Sequence, residues 1–157
     1  MTQENNKMKK IVIVGTGDYY KNFLAVSLKT LEKEGLCELF ATIGKDFRDI
    51  NKPDVFSSIE HIARTKEEKI SSLLADFDNE ETIVVLSHAN EMHVPDAKDL
   101  LFHGFRVMVE KPYAIDESQL KTLATLLAGY PGRIALLEYY LTMRSIPLLI
   151  LAGKVKK

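Results

Sequence analysis

The sequence of 157 residues contains a single cysteine, no tryptophan and no excess of charge of either sign. Because Cys37 stands alone, no internal disulfide can form, and a zinc site built from several thiolates is excluded. Lysine and arginine number 21 and aspartate and glutamate 22, so the formal net charge of −1 supplies no field that would hold a polyanion. These scarcities predict a reducing, cytoplasmic setting and no nucleic-acid partner.

Long apolar runs are missing as well. The most apolar stretch, residues 146–152, is far shorter than the roughly 20 residues that span a bilayer. The polar opening lacks the apolar segment of a secretory signal, and residues 1–8 are predicted to be a disordered lead-in. No histidine or acidic residues recur at metal-ligand spacing, so we expect neither a membrane partner nor a metal site.

Short runs of β-branched residues alternate with amphipathic patterns along the rest of the chain. The alternation predicts an α/β fold, a Rossmann-type, doubly wound, mainly parallel sheet with helices on both faces. Strands are predicted at 10–14, 38–43, 82–87, 106–110 and 133–138. Helices are predicted over about 21–34, from a Thr65–Glu68 capping box to Phe77, from Pro95 to Gly104, and from an Asp116–Gln119 capping box to Gly129.

In a sheet of this class, ligands bind beyond the carboxyl ends of the strands. The first strand runs into Gly15, Thr16, Gly17 and Asp18, the context of a dinucleotide-binding loop. Gly15 would allow a tight turn and Gly17 a close approach of pyrophosphate to a helix N-terminus. Tyr20 stands where that pattern has Gly or Ala, and Asp18 adds a negative charge. A plain glycine turn before an acidic helix start therefore remains the alternative.

The loop after the second predicted strand carries Gly44, Lys45, Asp46 and Arg48, and Gly44 stands where an acidic residue would accept hydrogen bonds from ribose hydroxyls. A basic side chain suits a 2′-phosphate better, which gives a slight preference for NADP over NAD. A solvated charged loop is the other interpretation.

Residues 84–112 carry the most specific pattern. A buried strand leads into a loop with Asn90 and His93, a helix closes on Gly104, and a second strand runs into Glu110, Lys111 and Pro112. This segment resembles the Gfo/Idh/MocA (glucose–fructose oxidoreductase/inositol dehydrogenase) family of NAD(P)-dependent oxidoreductases. Two positions depart from the family pattern, which usually has Thr and Pro where this chain has His88 and Ala89.

The resemblance implies a catalytic role for Lys111, which in the family contacts the nicotinamide ribose and the substrate, and a Lys111–Pro112 bond that is often cis. Lysine can share a proton with a reacting hydroxyl when it is desolvated. Without the resemblance, Glu110 and Lys111 would be an exposed ion pair at a strand end. Cofactor-binding residues in this region are predicted to be Ser87, His88, Asn90, His93, Glu110 and Pro112.

Some of these polar residues have simpler interpretations. The alternative interpretation of His93 is a structural role. His61 and His103 are expected to be solvated. Cys37 is expected to be a small core residue.

The end of the chain loosely matches the family's passage from the nucleotide-binding domain into a substrate domain. We therefore expect a nucleotide-binding domain at 9–140 and, at 141–157, the start of a missing or truncated substrate domain. The apolar residues 148–151 are expected to face that domain or a second copy of the chain, and the second arrangement would form a homo-oligomer through this segment.

Two functions follow from these patterns. The first is the NAD(P)-binding domain of an oxidoreductase acting on a hydroxyl or carbonyl of a sugar, inositol or related small-molecule substrate. The alternative is a catalytically silent Rossmann domain that binds a nucleotide or a partner. A flavodoxin-like or receiver-like domain would fit the length, but it would not account for Glu110-Lys111-Pro112.

Overall fold

The computed structural model describes residues 8–17, 24–45 and 59–137 of the chain. Within these ranges, strands and helices alternate as the sequence predicts, with one addition discussed below. The elements are β1 (Lys9–Val14), α1 (Ala25–Lys33), β2 (Cys37–Gly44), β3 (Glu60–Ala63), α2 (Ile70–Leu73), β4 (Thr82–Leu86), α3 (His93–Phe102), β5 (Arg106–Glu110), α4 (Glu117–Gly129) and β6 (Ile134–Leu137).

The strands form one sheet in the order β3-β2-β1-β4-β5-β6, and every pairing among them is parallel. The strand order reverses between β1 and β4, which is the topological switch point of a doubly wound sheet. Val14 pairs with Ile43 on one side and Leu86 on the other, so the carboxyl ends of these three strands lie at one edge. The predicted fold class is confirmed.

Alternate side chains of β1 enter two separate cores, as the two-residue period of a strand requires. Val12 and Val14 pack with residues of α2, α3 and α4 on one face of the sheet. Ile11 and Ile13 pack with Leu28 of α1 on the other face. Because both faces are covered, β1 is a continuous apolar run, and the prediction of helices on both faces is confirmed.

The strand β3 was not predicted. Its sequence, Glu-His-Ile-Ala, has no apolar run, and its side chains are exposed or half-buried because it lies at the edge of the sheet. It is held by pairing with residues 41–44 of β2. Long-range pairing, rather than local propensity, makes this segment a strand.

The prediction of a helix extending to Phe77 was wrong in its length, because α2 ends at Leu73. Half of the capping box is present, since the Glu68 carboxylate accepts a 2.7 Å hydrogen bond from the Thr65 N–H, but the residue that precedes the helix is Lys69. Leu74 and Phe77 continue as turns and still pack into the core. Apolar spacing alone does not separate a helix from successive turns that bury the same side chains.

The helix α4 is capped by Asp116 as predicted, although the Gln119 side chain accepts from the N–H of Ile115 and not from that of Asp116. The Asp116 carboxylate accepts from the Gln119 N–H at 2.7 Å, and the Gln119 side chain accepts from the Ile115 N–H at 3.3 Å. Only part of the apolar surface of α4 is covered. Leu123 and Leu126 are buried, whereas Leu120 is 59% and Leu127 38% exposed. The helix packs on α3 and β6 near the sheet edge, so only a narrow stripe is covered.

Two further observations concern the predicted boundaries and the membrane. The helix α3 starts at His93, two residues before Pro95, and the chain leaves it through Gly104 at φ +84°. Among the residues that the structure describes, no helix is long and apolar enough to cross a bilayer.

Candidate functional site

The loop after β1 is built around Gly15. Its backbone has φ +109°, which favours glycine, and its N–H donates to the Ile43 carbonyl at 2.8 Å. A Cβ placed on Gly15 would meet the backbone of Ser87 and His88, whereas one on Gly17 would meet no atom within 4 Å. Gly15 therefore lets β1 and β4 end close together, and Gly17 leaves open space above them.

A cleft of about 730 Å³ opens at this point, above the carboxyl ends of β1, β2 and β4. It lies where ligands bind in doubly wound sheets. Six of the predicted site residues line it, namely Gly15, Thr16, Gly17, Lys45, Ser87 and His88. The structure thus brings together residues from three loops that are far apart in the sequence.

Five further lining residues were missed by sequence reasoning: Arg64, Thr65, Lys66, Glu91 and Met92. The first three follow β3, so recognising that strand would have placed them at the same edge of the sheet. Glu91 and Met92 lie in a short 3-10 turn, Asn90–Met92, and carry no pattern that singles them out.

The end of β2 is held by its contact with β3. The Arg64 N–H donates to the Gly44 carbonyl at 2.7 Å. His61 was expected to be solvated, but its Nε2 donates to the Lys45 carbonyl at 2.9 Å and its Nδ1 lies 2.9 Å from the Thr42 hydroxyl. These contacts fix the backbone on which Lys45 enters the cleft.

A buried ion pair lies behind one wall of the cleft, the wall that Arg64 and His88 line. The Arg64 guanidinium binds the Asp96 carboxylate through both terminal nitrogens, at 2.7 and 2.9 Å, and His88 Nε2 lies 2.7 Å from the same carboxylate. Burial opposes ionisation of Asp96, but the hydrogen bonds from His88 and Arg64 outweigh it and hold the pKa of this carboxyl below its ordinary value. Asp96 is therefore a stable anion on α3 that joins the residues following β3 and β4.

His93 does not line the cleft, although it was predicted to bind the cofactor. It is 1% exposed, and its Nδ1 donates to the Pro112 carbonyl at 3.0 Å. Burial lowers the pKa of this imidazole. The Lys111–Pro112 peptide bond is cis, as the family resemblance implied.

The predicted residues after β5 also lie outside the cleft lining. Glu110 is buried, and burial raises the pKa of its carboxyl against the opposing effect of Lys111. Lys111 Nζ lies 3.9 Å from Glu110 Oε1, and its side chain is 40% exposed. Asn90 is exposed at the start of the 3-10 turn, and Pro112 is exposed beyond β5. These residues sit at the ends of β4 and β5, on the other side of the switch point from Lys45.

Several predictions lie outside the described residues. These are the lead-in at 1–7, Asp18, Tyr20, Arg48 and the segment 141–157. Within the described ranges, no three His, Cys, Asp or Glu side chains are grouped so that they would hold a metal ion.

The arrangement fits an extended nucleotide cofactor. Gly15 brings the ends of β1 and β4 together, Gly17 leaves room for a close approach to the backbone, and Lys45 supplies a positive charge at the end of β2. An open parallel sheet with a glycine loop at its switch point defines the class of Rossmann-type nucleotide-binding domains.

The comparisons with known proteins identify the family. Residues 9–136 match the family model GFO_IDH_MocA, described as an oxidoreductase family with an NAD-binding Rossmann fold. The chain belongs to this family, and the resemblance drawn from residues 84–112 is confirmed. No curated protein matches the chain in sequence.

Solved structures share the fold at low sequence identity. Scyllo-inositol dehydrogenase from Lactobacillus casei, with bound cofactor NAD(H) and scyllo-inositol, is 18% identical, with a TM-score of 0.72 over 96% of this chain and 43% of its own. The WlbA dehydrogenase from Thermus thermophilus, in complex with NAD and UDP-GlcNAcA, is 22% identical, with a TM-score of 0.69 over 96% and 48%. A 3-ketoreductase from Actinomadura kijaniata, in complex with TDP-benzene and NADP, is 17% identical, with a TM-score of 0.67 over 96% and 44%. The chain spans less than half the length of each of these proteins.

Proposed function

We propose that the chain binds NAD(H) or NADP(H) in the cleft and serves as the cofactor-binding part of an oxidoreductase. Its substrate would be a sugar, inositol or related small molecule that carries a hydroxyl or carbonyl group. The observation that carries the proposal is the approach of Gly15 to the backbone of Ser87 and His88, which opens the cleft at the switch point of the sheet. Membership of the family supports it.

Different residues of the cleft would bind different parts of the dinucleotide. Gly17 would let the pyrophosphate approach the backbone, with Thr16, Ser87 and His88 beside it. Lys45 would meet the adenosine ribose at the end of β2, where Rossmann domains bind that sugar.

The nicotinamide, when bound, supplies hydride transfer. Lys111, at the end of β5, would hold and polarise the reacting hydroxyl, and Glu110 beside it at 3.9 Å would restrain the ammonium group. The link from His93 to the Pro112 carbonyl would keep this loop in place. Asn90 belongs to the same proposed region.

The proposal has further parts that rest on the sequence and the family. A slight preference for NADP rests on Lys45 and Arg48. Residues 9–140 would form the nucleotide-binding domain, and 141–157 would begin the substrate domain and supply a homo-oligomer contact. A reducing, cytoplasmic setting rests on the single cysteine.

Titration of the chain with NADH and NADPH tests the central claim. Nicotinamide fluorescence and melting temperature are measured, and a ligand at 100 times its Kd is expected to stabilise the fold by about 2.7 kcal/mol, a shift of several degrees. If neither nucleotide changes the melting temperature or the fluorescence at millimolar concentration, the proposal fails.

The cofactor preference is tested with the variants Lys45→Ala and Arg48→Ala. If NADPH binds more tightly than NADH, each substitution is expected to reduce the difference, because each removes a charge that would face the 2′-phosphate. Lys33→Ala is the matched control, since Lys33 lies at the end of α1 and does not line the cleft. Unchanged discrimination in both cleft variants would contradict the assignment of these two residues.

A further inference from the structure

We propose that Asp96 is a positioning residue that binds the Arg64 side chain and keeps it from contacting the dinucleotide. Asp96 thereby limits the preference of the cleft for NADP(H) over NAD(H). The inference rests on the proposed function, because it concerns the adenosine end of that cofactor site. It assigns a role to a buried carboxylate on α3 that the sequence did not single out.

The position of Arg64 is the first step. Its backbone N–H donates to the Gly44 carbonyl at 2.7 Å, so Arg64 begins beside the last residue of β2. Rossmann domains bind the adenosine ribose at the end of this strand. Arg64 and Lys45 both line the cleft there. An arginine at this place would ordinarily be a strong candidate to bind a 2′-phosphate.

The guanidinium of Arg64 is already engaged, however. Its two terminal nitrogens bind the two oxygens of Asp96 at 2.7 and 2.9 Å, and its Nε donates to the Glu68 carbonyl at 2.9 Å. The side chains of Arg64 and Asp96 are only 9% and 6% exposed. Bidentate pairing of this kind fixes the plane of the guanidinium and neutralises its charge.

His88 makes the arrangement rigid from the opposite side. Its Nε2 lies 2.7 Å from Asp96 Oδ2, the same oxygen that Arg64 Nη1 binds. Asp96 is thus held between residues that follow β3 and β4, on either side of the two strands that lie between them. Turning Arg64 toward a ligand would leave a buried carboxylate without its main partner, which is strongly unfavourable.

The charge in the cleft follows from this pairing. Arg64 and Asp96 together contribute no net charge, and the other lysine and glutamate side chains of the lining are Lys45, Lys66 and Glu91, which leave a formal charge of +1. Replacing Asp96 with a neutral isostere leaves the Arg64 charge uncompensated. The freed charge favours NADPH over NADH, because the two nucleotides differ by the anionic 2′-phosphate.

The test compares Kd values for NADH and NADPH in the full chain, by nicotinamide fluorescence at low and high salt. In Asp96→Asn the ratio of Kd for NADH to Kd for NADPH is expected to rise about threefold to fivefold, the effect of one added attraction between Arg64 and the 2′-phosphate in a cleft open to solvent. The gain should shrink in high salt, because exposed charges are screened. If Asp96 had only a structural role, the substitution would weaken the binding of NADH and NADPH to the same extent and leave the ratio unchanged.

Two further variants complete the experiment. Asp99→Asn is the matched control on the same helix, because the Asp99 carboxylate accepts from the Ser71 N–H and lies outside the cleft lining, so the ratio should remain that of the wild type. The double variant Arg64→Met, Asp96→Asn restores neutrality and should return the ratio to its wild-type value. If Asp96→Asn does not fold, Asp96→Ser replaces it, because it also removes the carboxylate charge and the same rise in the ratio is expected.

The outcomes separate the two proposals. If the wild type binds neither nucleotide, the proposed function fails. If it binds them and Asp96→Asn leaves the ratio unchanged, the role of Asp96 is overturned while the function stands. A loss of NADPH preference in the double variant would show that Arg64 itself binds the 2′-phosphate, which would also overturn the inference.

Discussion

A Cβ atom on Gly15 would lie 2.6 Å from the carbonyl oxygen of Ser87. The contact joins the loop after β1 to the loop after β4, and it is reinforced by the Ser87 N–H, which donates to the Val14 carbonyl at 2.9 Å. The floor of the cleft therefore depends on the absence of a side chain at one position. The glycine is required both by this packing and by its φ of +109°.

Gly15→Ala is expected to destabilise the fold by about 2–4 kcal/mol, since the methyl group clashes with backbone and the positive φ is strained for alanine. Urea denaturation of the chain measures the change as a lower midpoint. A midpoint within error of the wild type would contradict the placement of Gly15 against Ser87.

Gly17→Ala is the matched variant two residues further along. A Cβ on Gly17 meets no atom within 4 Å, so the free energy of unfolding is expected to change by less than about 1 kcal/mol. The added methyl group would occupy the space through which pyrophosphate reaches the backbone, so NADH and NADPH should bind more weakly. A variant that is stable and binds both nucleotides normally would argue against a pyrophosphate at Gly17.

His93 gives the stability of the chain a pH dependence of defined sign. Burial lowers the pKa of this imidazole in the folded state, so the unfolded chain takes up the proton first as pH falls below about 6.5. The stability that the neutral His93 contributes is complete above that pH and is lost as pH falls toward the folded-state pKa. Denaturation midpoints measured between pH 8 and pH 5 should follow this trend.

His93→Asn is expected to remove this contribution while retaining an amide N–H that can donate to the Pro112 carbonyl. The plot of unfolding free energy against pH should become shallower below about pH 6.5, by at most about 1.4 kcal/mol per pH unit. Burial raises the pKa of Glu110, so its contribution to the pH dependence of stability has the opposite sign to that of His93. This contribution is the same in both proteins and cancels in the comparison. Parallel plots for the two proteins would show that His93 does not titrate as a buried group.

Cys37 reports on the opening of the core. It is 6% exposed at the start of β2, and burial, assisted by the negative charge of Glu32, raises the pKa of its thiol. Because the thiolate is the reactive form, a thiol reagent at pH 8 should react with the native chain at least about a hundredfold more slowly than with the chain unfolded in urea. Complete labelling of the native chain within seconds would contradict this burial.

The sequence predicted the elements whose local pattern and tertiary environment agree. The strands β1 and β4 are buried on both faces and are rich in β-branched residues, and α4 begins at the expected capping box. The edge strand β3 escaped prediction because pairing with β2, and not its own composition, holds it. Arg64, Thr65 and Lys66 were missed for the same reason, although they line the cleft.

The candidate site was predictable where residues follow a recognised strand, as Gly15, Lys45 and Ser87 do. Asp96 was not, because an aspartate in the first turn of a helix is usually solvated, and its burial depends on Arg64, which lies 32 residues away in the chain. His93 was noticed, but its contact with the Pro112 carbonyl depends on how β4 and β5 pair. Side-chain partners of this kind require the three-dimensional arrangement of the strands.

The first turn of α3 holds two separate parts of the structure in place. His93 holds the loop that carries Lys111, and Asp96, three residues later on the same helix, holds Arg64 and His88. One helical turn thus contacts both the loop that follows β5 and the Arg64–His88 side of the cleft. A shift of α3 along its axis would therefore disturb the contact with the loop beyond β5 and the contacts with Arg64 and His88 at the same time.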